Sequence, residues 1–189
     1  MKNAKAQIQQ QLLEKMKQQD IHTIKVNHLV ESINISRSTF YLYYDSVFSV
    51  LQDIEDTFFD ELKSIANNFW SYPPNSHYLT EPHPIILKVM LYLRDHKEIS
   101  KILWGPYGDQ TFKIRCRKMV KQAFFPEHIF QTSQNSDIIY NIAFMIGGHL
   151  ELVNCWINND CSYDIKELTL LIYKLMYGEY NCKRKKIDA

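Results

Sequence analysis

Between Val26 and Tyr44 two short helical patterns stand almost end to end, and this pairing limits the fold more than any other feature of the chain. Val26, Leu29, Val30 and Ile33 recur at i, i+3, i+4 and i+7, the spacing of one helix face. The stripe stops at Asn34, the non-glycine residue best suited to the left-handed conformation that closes a helix. Ser36 follows as an N-cap for the next helix. So short a connection forces the second helix to turn sharply from the first, the helix-turn-helix arrangement.

The flanking sequence supplies further helices. Ile8, Leu12, Leu13 and Met16 mark a first helix with Gln and Lys on its other face. The pattern breaks over Asp20 to Thr23. From Val47 a longer stripe (Val50, Leu51, Ile54, Phe58, Leu62, Ile65) predicts a fourth helix. "SYPPNSHYLTEPHP", Ser71 to Pro84, holds four of the six prolines and reads as a loop. Helices are expected over Ile85–Leu93, Gln110–Ala123, Asp137–Ile157 and Tyr163–Tyr177, with pauses at "WGPYGDQ", Phe125–Ser136 and "NNDCS". No stretch reads as a strand, and only 5 glycines and 6 prolines leave little material for the turns of an all-β fold.

Composition narrows the function classes. A net charge of +1 advertises no global field for nucleic acid. Up to Leu51 the balance is mildly basic: Lys2, Lys5, Lys15, Lys17, Lys25 and Arg37 against Glu14, Asp20, Glu31 and Asp45. Cys116, Cys155, Cys161 and Cys182 lack C-x-x-C spacing and read as thiols of a reducing cytosol. The histidines match no metal motif, and no G-x-S-x-G, Walker loop or H-E-x-x-H occurs. No enzyme activity, metal or cofactor is therefore expected. No signal-peptide core is visible and no run approaches membrane-span length, so a cytoplasmic protein with no membrane partner is expected. The run "KRKK", Lys183 to Lys186, reads as a solvated end.

"SRSTFYLYYDS", Ser36 to Ser46, crowds four aromatics into five positions. Phe40 and Tyr44, four apart, can face inward against Val30 and Ile33. Tyr41 falls off that stripe and should face outward, and Tyr43 lies between the faces. An outward tyrosine hydroxyl can donate to a phosphate, a contact that positions a protein on DNA without reading sequence.

With these residues placed, "IKVNHLVESINISRSTFYLYYDSVFSVL" resembles the N-terminal DNA-binding domain of TetR-family transcriptional regulators. That family's pattern runs I-T-V, then A-G-V-S, then G-T-[LF]-Y-x-[HY]-F, then a serine-lysine pair. Here it reads Ile24-Lys25-Val26, Ile33-Asn34-Ile35-Ser36, Ser38-Thr39-Phe40-Tyr41-Leu42-Tyr43-Tyr44 and Ser46-Val47. The family's glycine is Asn34 here, and its lysine is Val47. "LWGPYGDQTF" and "AFMIGGHLELVNCWINNDCSYDIKEL" also resemble a branch whose members include regulators of dihydroxyacetone-kinase operons.

The resemblance implies an all-α protein with two domains. Residues 1–50 would form a three-helix, helix-turn-helix DNA reader, and residues 51–189 a larger helical domain for effector binding and dimerisation. It implies phosphate contacts from Thr39, Tyr41 and Tyr43, and base-edge contacts from Arg37, Ser38 and Leu42. Asn27 is a further base candidate, with Lys25 beside it at phosphate. Partners would be a double-stranded, pseudo-palindromic operator, a second copy of the chain, and a small-molecule effector as a candidate ligand. Candidates for an effector pocket are Trp104, Tyr107, Phe112, Arg115, Tyr140, Phe144 and His149. The subunit contact would use Ile146, Leu150, Val153, Trp156, Ile157, Leu168, Leu171, Ile172 and Leu175. Gly147 and Gly148, inside a helical pattern at a cost of about 1 kcal/mol each, point to close approach of a helix or ligand. The function implied is a repressor. The alternative left open is a protein-interaction module or coactivator of the same fold with weak DNA binding, motivated by Val47 and the near-neutral charge.

Overall fold

A computed structural model describes residues 4–125 and 137–184. The helices are α1 (Ala4–Met16), α2 (Val26–Ser32), α3 (Arg37–Tyr41), α4 (Val47–Ala66), α5 (Pro84–Asp95), α6 (Lys97–Trp104), α7 (Gln110–Phe124), α8 (Asp137–Asn158) and α9 (Ile165–Arg184). Among the described residues there is no strand. Most of the expected pause at Phe125–Ser136, and the end of the "KRKK" run, lie outside the described residues. The described chain forms two compact units. One runs to Glu61 and includes Glu98–Lys113; the other takes Leu62–Lys97 and the chain from Ile114.

In the first unit, α1 packs on α2 and α2 on α3. The apolar stripes read from sequence are its interior: Ile8, Leu12, Met16, Leu29, Val30, Phe40, Val50 and Leu51 are all at most 5% exposed. Asp20 caps the 3-10 turn Ile21–Thr23 by accepting from the His22 amide at 2.8 Å. A second cluster of rings surrounds Phe112, with Phe59 at 5.1 Å, Trp104 at 5.6 Å and Phe58 at 5.8 Å between centroids.

Two departures from the sequence reading concern helices. Lys97–Trp104 forms α6, which the periodicity did not suggest: its charged residues dilute a stripe of only Ile99, Ile102 and Leu103. A single residue, His96, separates it from α5, and the His96 ring bonds back to the Tyr92 carbonyl at 2.9 Å. The second departure is α8, which by length and composition alone could cross a membrane, with a mean hydropathy of 1.3. Asn141, Glu151 and Asn154 interrupt the run and hide it from a search for an unbroken apolar segment.

In the second unit, α9 packs against α5, α8 and the 3-10 turn Ser76–Leu79 of the proline-rich segment. That segment is pinned at Asn75, whose amide donates to the Tyr173 hydroxyl at 2.9 Å while the hydroxyl donates to the Asn75 carbonyl at 3.1 Å. His83 is fully buried beside it, stacked between Phe69 at 4.6 Å and Tyr173 at 5.7 Å. Its Nδ1 accepts from the Ile85 amide, capping α5. Nε2 must then carry the proton and donates to the Tyr72 carbonyl at 3.1 Å. The polar turn after α8 closes with Asp160 at φ +56 and the Cys161 amide on the Trp156 carbonyl at 2.9 Å.

Candidate nucleic-acid interface

The turn between α2 and α3 is built from backbone bonds. Asn34 takes φ +54, the left-handed region. The Ile35 amide then reaches the Val30 carbonyl at 3.1 Å, and the Asn34 amide reaches Glu31 at 3.3 Å. These two bonds complete a Schellman closure of α2. Ser36 opens α3 by accepting from the Thr39 amide at 3.0 Å. The Thr39 hydroxyl lies 2.8 Å from Ser36 Oγ, so in the free protein it is shared with the cap.

α3 is a helix of five residues, and its end divides the aromatics. Phe40 is fully buried and Tyr44 6% exposed, their rings 6.1 Å apart. Tyr41, Leu42 and Tyr43 are 48%, 80% and 46% exposed. Leu42 and Tyr43 follow the last helical residue, held by amide bonds to Ser38 and Phe40. Arg37 and Ser38 are exposed at the start of α3. The guanidinium of Arg37 lies over the Tyr41 ring, 6.0 Å from its centroid. Lys25 and Asn27 are exposed at the start of α2. Val47, where the resembling family has lysine, is a 5%-exposed first residue of α4.

Behind this surface lies a polar cluster that the sequence reading did not find. Asp53 Oδ2 on α4 accepts from the Tyr44 hydroxyl at 2.6 Å and from Gln9 Nε2 at 2.8 Å. Lys5 Nζ lies 2.8 Å from the same oxygen and 5.8 Å from the centroid of the Tyr44 ring. The Lys5 hydrogen bond, with that of Tyr44, holds the Asp53 carboxyl below the usual carboxylate range. Burial, reinforced by Asp53, raises the Tyr44 hydroxyl. At neutral pH the carboxylate is thus charged and the phenol protonated. The available signal was Tyr44 itself: a tyrosine at a buried position needs an acceptor for its hydroxyl.

The expected effector residues do not fall in one unit. Trp104, Tyr107 and Phe112 belong to the first, and Phe112 is fully buried. Arg115, Tyr140, Phe144 and His149 belong to the second, where Tyr140 and Phe144 are 74% and 80% exposed. The His149 ring lies between the carbonyls of Met145 on α8 and Ile172 on α9, one ring nitrogen close to each, and its single N–H can donate to one of them at a time.

The expected subunit-contact residues divide too. Ile146, Trp156, Ile157, Leu168 and Ile172 are buried inside the single chain, Leu150 and Val153 are half-buried, and Leu171 and Leu175 are exposed. A Cβ built on Gly147 or Gly148 would meet no atom of the described residues within 4 Å beyond its own stretch of α8, so no described neighbouring element approaches either glycine.

Comparison with known proteins gives consistent matches. Residues 80–178, just over half of the chain, match a TetR C-terminal family described as "Transcriptional regulator C-terminal region". The chain is 22% identical over 181 residues to the uncharacterized HTH-type transcriptional regulator YxbF of Bacillus subtilis (strain 168). That match covers 92% of this chain and 45% of the relative, so the chain spans less than half of that relative's length. The fold is similar to a TetR transcriptional regulator from Streptococcus agalactiae 2603V, with TM-score 0.61, 17% identity and 91% of both chains covered. It is also similar to the dihydroxyacetone kinase operon activator DhaS, with TM-score 0.53, 16% identity and coverage of 93% of this chain and 94% of that one.

Proposed function

The chain belongs to the TetR family of transcriptional regulators, and on that basis we propose that it binds an operator as a homodimer and represses the genes beside it. The observation that carries this reading is the division of side chains around α3. Phe40 and Tyr44 fill the interior, while Arg37, Ser38, Tyr41, Leu42 and Tyr43 stand in solvent. Leu42 lies outside the interior, and Tyr41, edge-on to Phe40 at 5.4 Å, and Tyr43 leave about half of their surface open beside it. In a major groove Leu42 meets a thymine methyl, Arg37 takes the bidentate donor role at guanine, and the tyrosine hydroxyls reach phosphates. Lys25 and Asn27 extend the same surface from α2. The reader is residues 1–50, and the remainder of the chain senses and dimerises.

Dimerisation is supported by what α8 and α9 leave open. Tyr140, Phe144, Gly147 and Gly148 lie at helical spacing on α8, and Leu171 and Leu175 on α9, all exposed in the single chain. A second copy covering them would remove an apolar surface from water and use the two glycines for close helix approach. Dimerisation would also present two copies of α3 to half-sites about 34–36 Å apart. A small-molecule effector would release the operator by favouring a subunit arrangement that misses this spacing. A protein acting on the chromosome in this way works in the cytoplasm.

A second reading has one observation in its favour. Val47 is buried where the resembling family places a phosphate-contacting lysine, so DNA contact would be weaker and a protein partner more prominent. One neighbour in fold is named an activator, and a coactivator would suit that reading. Footprinting on the DNA upstream of the protein's own gene tests the two. Two protected half-sites one helical turn apart support the repressor; a uniform pattern at low salt contradicts it.

A further inference from the structure

We propose that Asp53 is a positioning residue for DNA recognition: through Tyr44 it sets where the exposed tyrosines beside α3 point. The inference rests on the DNA-binding reading above and adds a residue that touches no DNA.

The geometry is specific. One carboxylate oxygen on α4 receives Lys5 and Gln9 from α1 and the Tyr44 hydroxyl from the chain leaving α3. Tyr44 also closes the last turn of the recognition segment, its amide donating to the Phe40 carbonyl at 3.1 Å, and Tyr43 precedes it directly. The short segment from Arg37 to Tyr44 is anchored by the Ser36 cap at its start, by the buried Phe40 ring in its middle and by the Tyr44–Asp53 bond at its end. A five-residue helix has too few internal hydrogen bonds to hold its own direction. Without the carboxylate, the Tyr44 hydroxyl loses its Asp53 acceptor at a 6%-exposed position, and it must turn towards the neighbouring Gln9 side chain or take in water. Tyr43 and Tyr41, on the adjoining turn, turn with it. Shifts of about 1 Å are costly for groups that must meet fixed partners.

The test uses the full-length protein, fluorescein-labelled duplexes from the DNA upstream of its own gene, and circular dichroism to fix a temperature at which every protein compared is folded. Asp53→Ala is expected to weaken operator binding tenfold or more while folded. Asp53→Asn keeps an acceptor for Tyr44 and should recover affinity to within about threefold of wild type. Tyr44→Phe should resemble Asp53→Ala, and the double variant should bind no worse than either single one. A merely structural role would lower the melting temperature without this recovery by asparagine and without non-additivity in DNA affinity. Wild-type affinity in folded Asp53→Ala, or additive losses in the double variant, overturns the proposal. If Asp53→Ala does not fold, Tyr44→Phe, which removes one hydroxyl, decides: unchanged affinity overturns it. A wild-type protein that binds none of the duplexes overturns the DNA reading and the Asp53 inference together; wild-type binding with unaffected variants overturns the inference alone.

Discussion

Arg37 is folded over the ring of Tyr41, its guanidinium carbon 6.0 Å from the ring centroid, on the exposed face of the five-residue helix α3. The contact lies within cation–π range, worth about 0.5–1 kcal/mol at an exposed site. It holds a long, flexible side chain over the segment proposed to enter the groove, so Tyr41 has two tasks: a hydroxyl for phosphate and a ring that pre-places the arginine.

These tasks separate by substitution. Tyr41→Phe keeps the ring and removes the hydroxyl. It should weaken binding to every duplex by a similar factor, roughly three- to tenfold for one hydrogen bond. Arg37→Ala should instead cost about 1–3 kcal/mol on the preferred sequence and flatten preference at one base pair. Competition binding with a set of single-position operator variants distinguishes the two patterns.

Phe144, 80% exposed on α8, gives a clean test of the subunit contact. Phe144→Glu should change the stability of the isolated chain by no more than about 0.5 kcal/mol, as at other exposed positions. In a dimer joined through that face it buries a charge opposite itself. Light scattering at micromolar concentration should therefore report a dimer for wild type and a monomer for the variant. A monomeric wild type removes the dimer from the proposal.

Phe112 is fully buried among Phe58, Phe59 and Trp104. Phe112→Ala should cost about 3–5 kcal/mol in urea unfolding, the usual range for deleting a core phenylalanine. A loss below about 1 kcal/mol would show that the ring faces a space already open, as an effector cavity requires.

His83 links the second unit's stability to pH. Burial lowers its pKa below the ordinary histidine value, with the Tyr72 carbonyl opposing the shift. The folded chain therefore binds this proton less readily than the unfolded chain, whose histidine titrates near 6.5. Stability should be full above about pH 6.5, fall as pH drops towards the lowered folded value, and level off below it. Protonation also places a hydrogen on Nδ1, facing the Ile85 amide that it now caps. The melting temperature of wild type should fall as pH drops below about 6.5, and His83→Gln should remove this part of the slope. Equal slopes would contradict the assignment.

What the sequence disclosed depended on the range of each signal. The turn at Asn34, the Ser36 cap and the inward placing of Phe40 and Tyr44 are governed by residues at most four apart, and all appear in the structure. α6 did not stand out because its stripe is three residues long and charged on both sides. The face of α8 could not be chosen from periodicity, because a helix apolar nearly all round gives no single stripe. Ile146, Trp156 and Ile157 thus read as surface, yet they lie inside the chain, while Tyr140 and Phe144 face solvent. Asp53 was hidden for another reason. Its partners come from residues 5, 9 and 44, and convergence over such separations leaves no local pattern.

The DNA-binding reading is tested most directly by fluorescence anisotropy of labelled duplexes from upstream of the protein's own gene, titrated at about 50 mM and about 200 mM salt against a random duplex of equal length. Saturable binding is expected, displaced by the unlabelled upstream duplex but not by the random one, and weaker at higher salt as released counterions require. Equal affinity for both duplexes at low salt, or no binding to either, would contradict it.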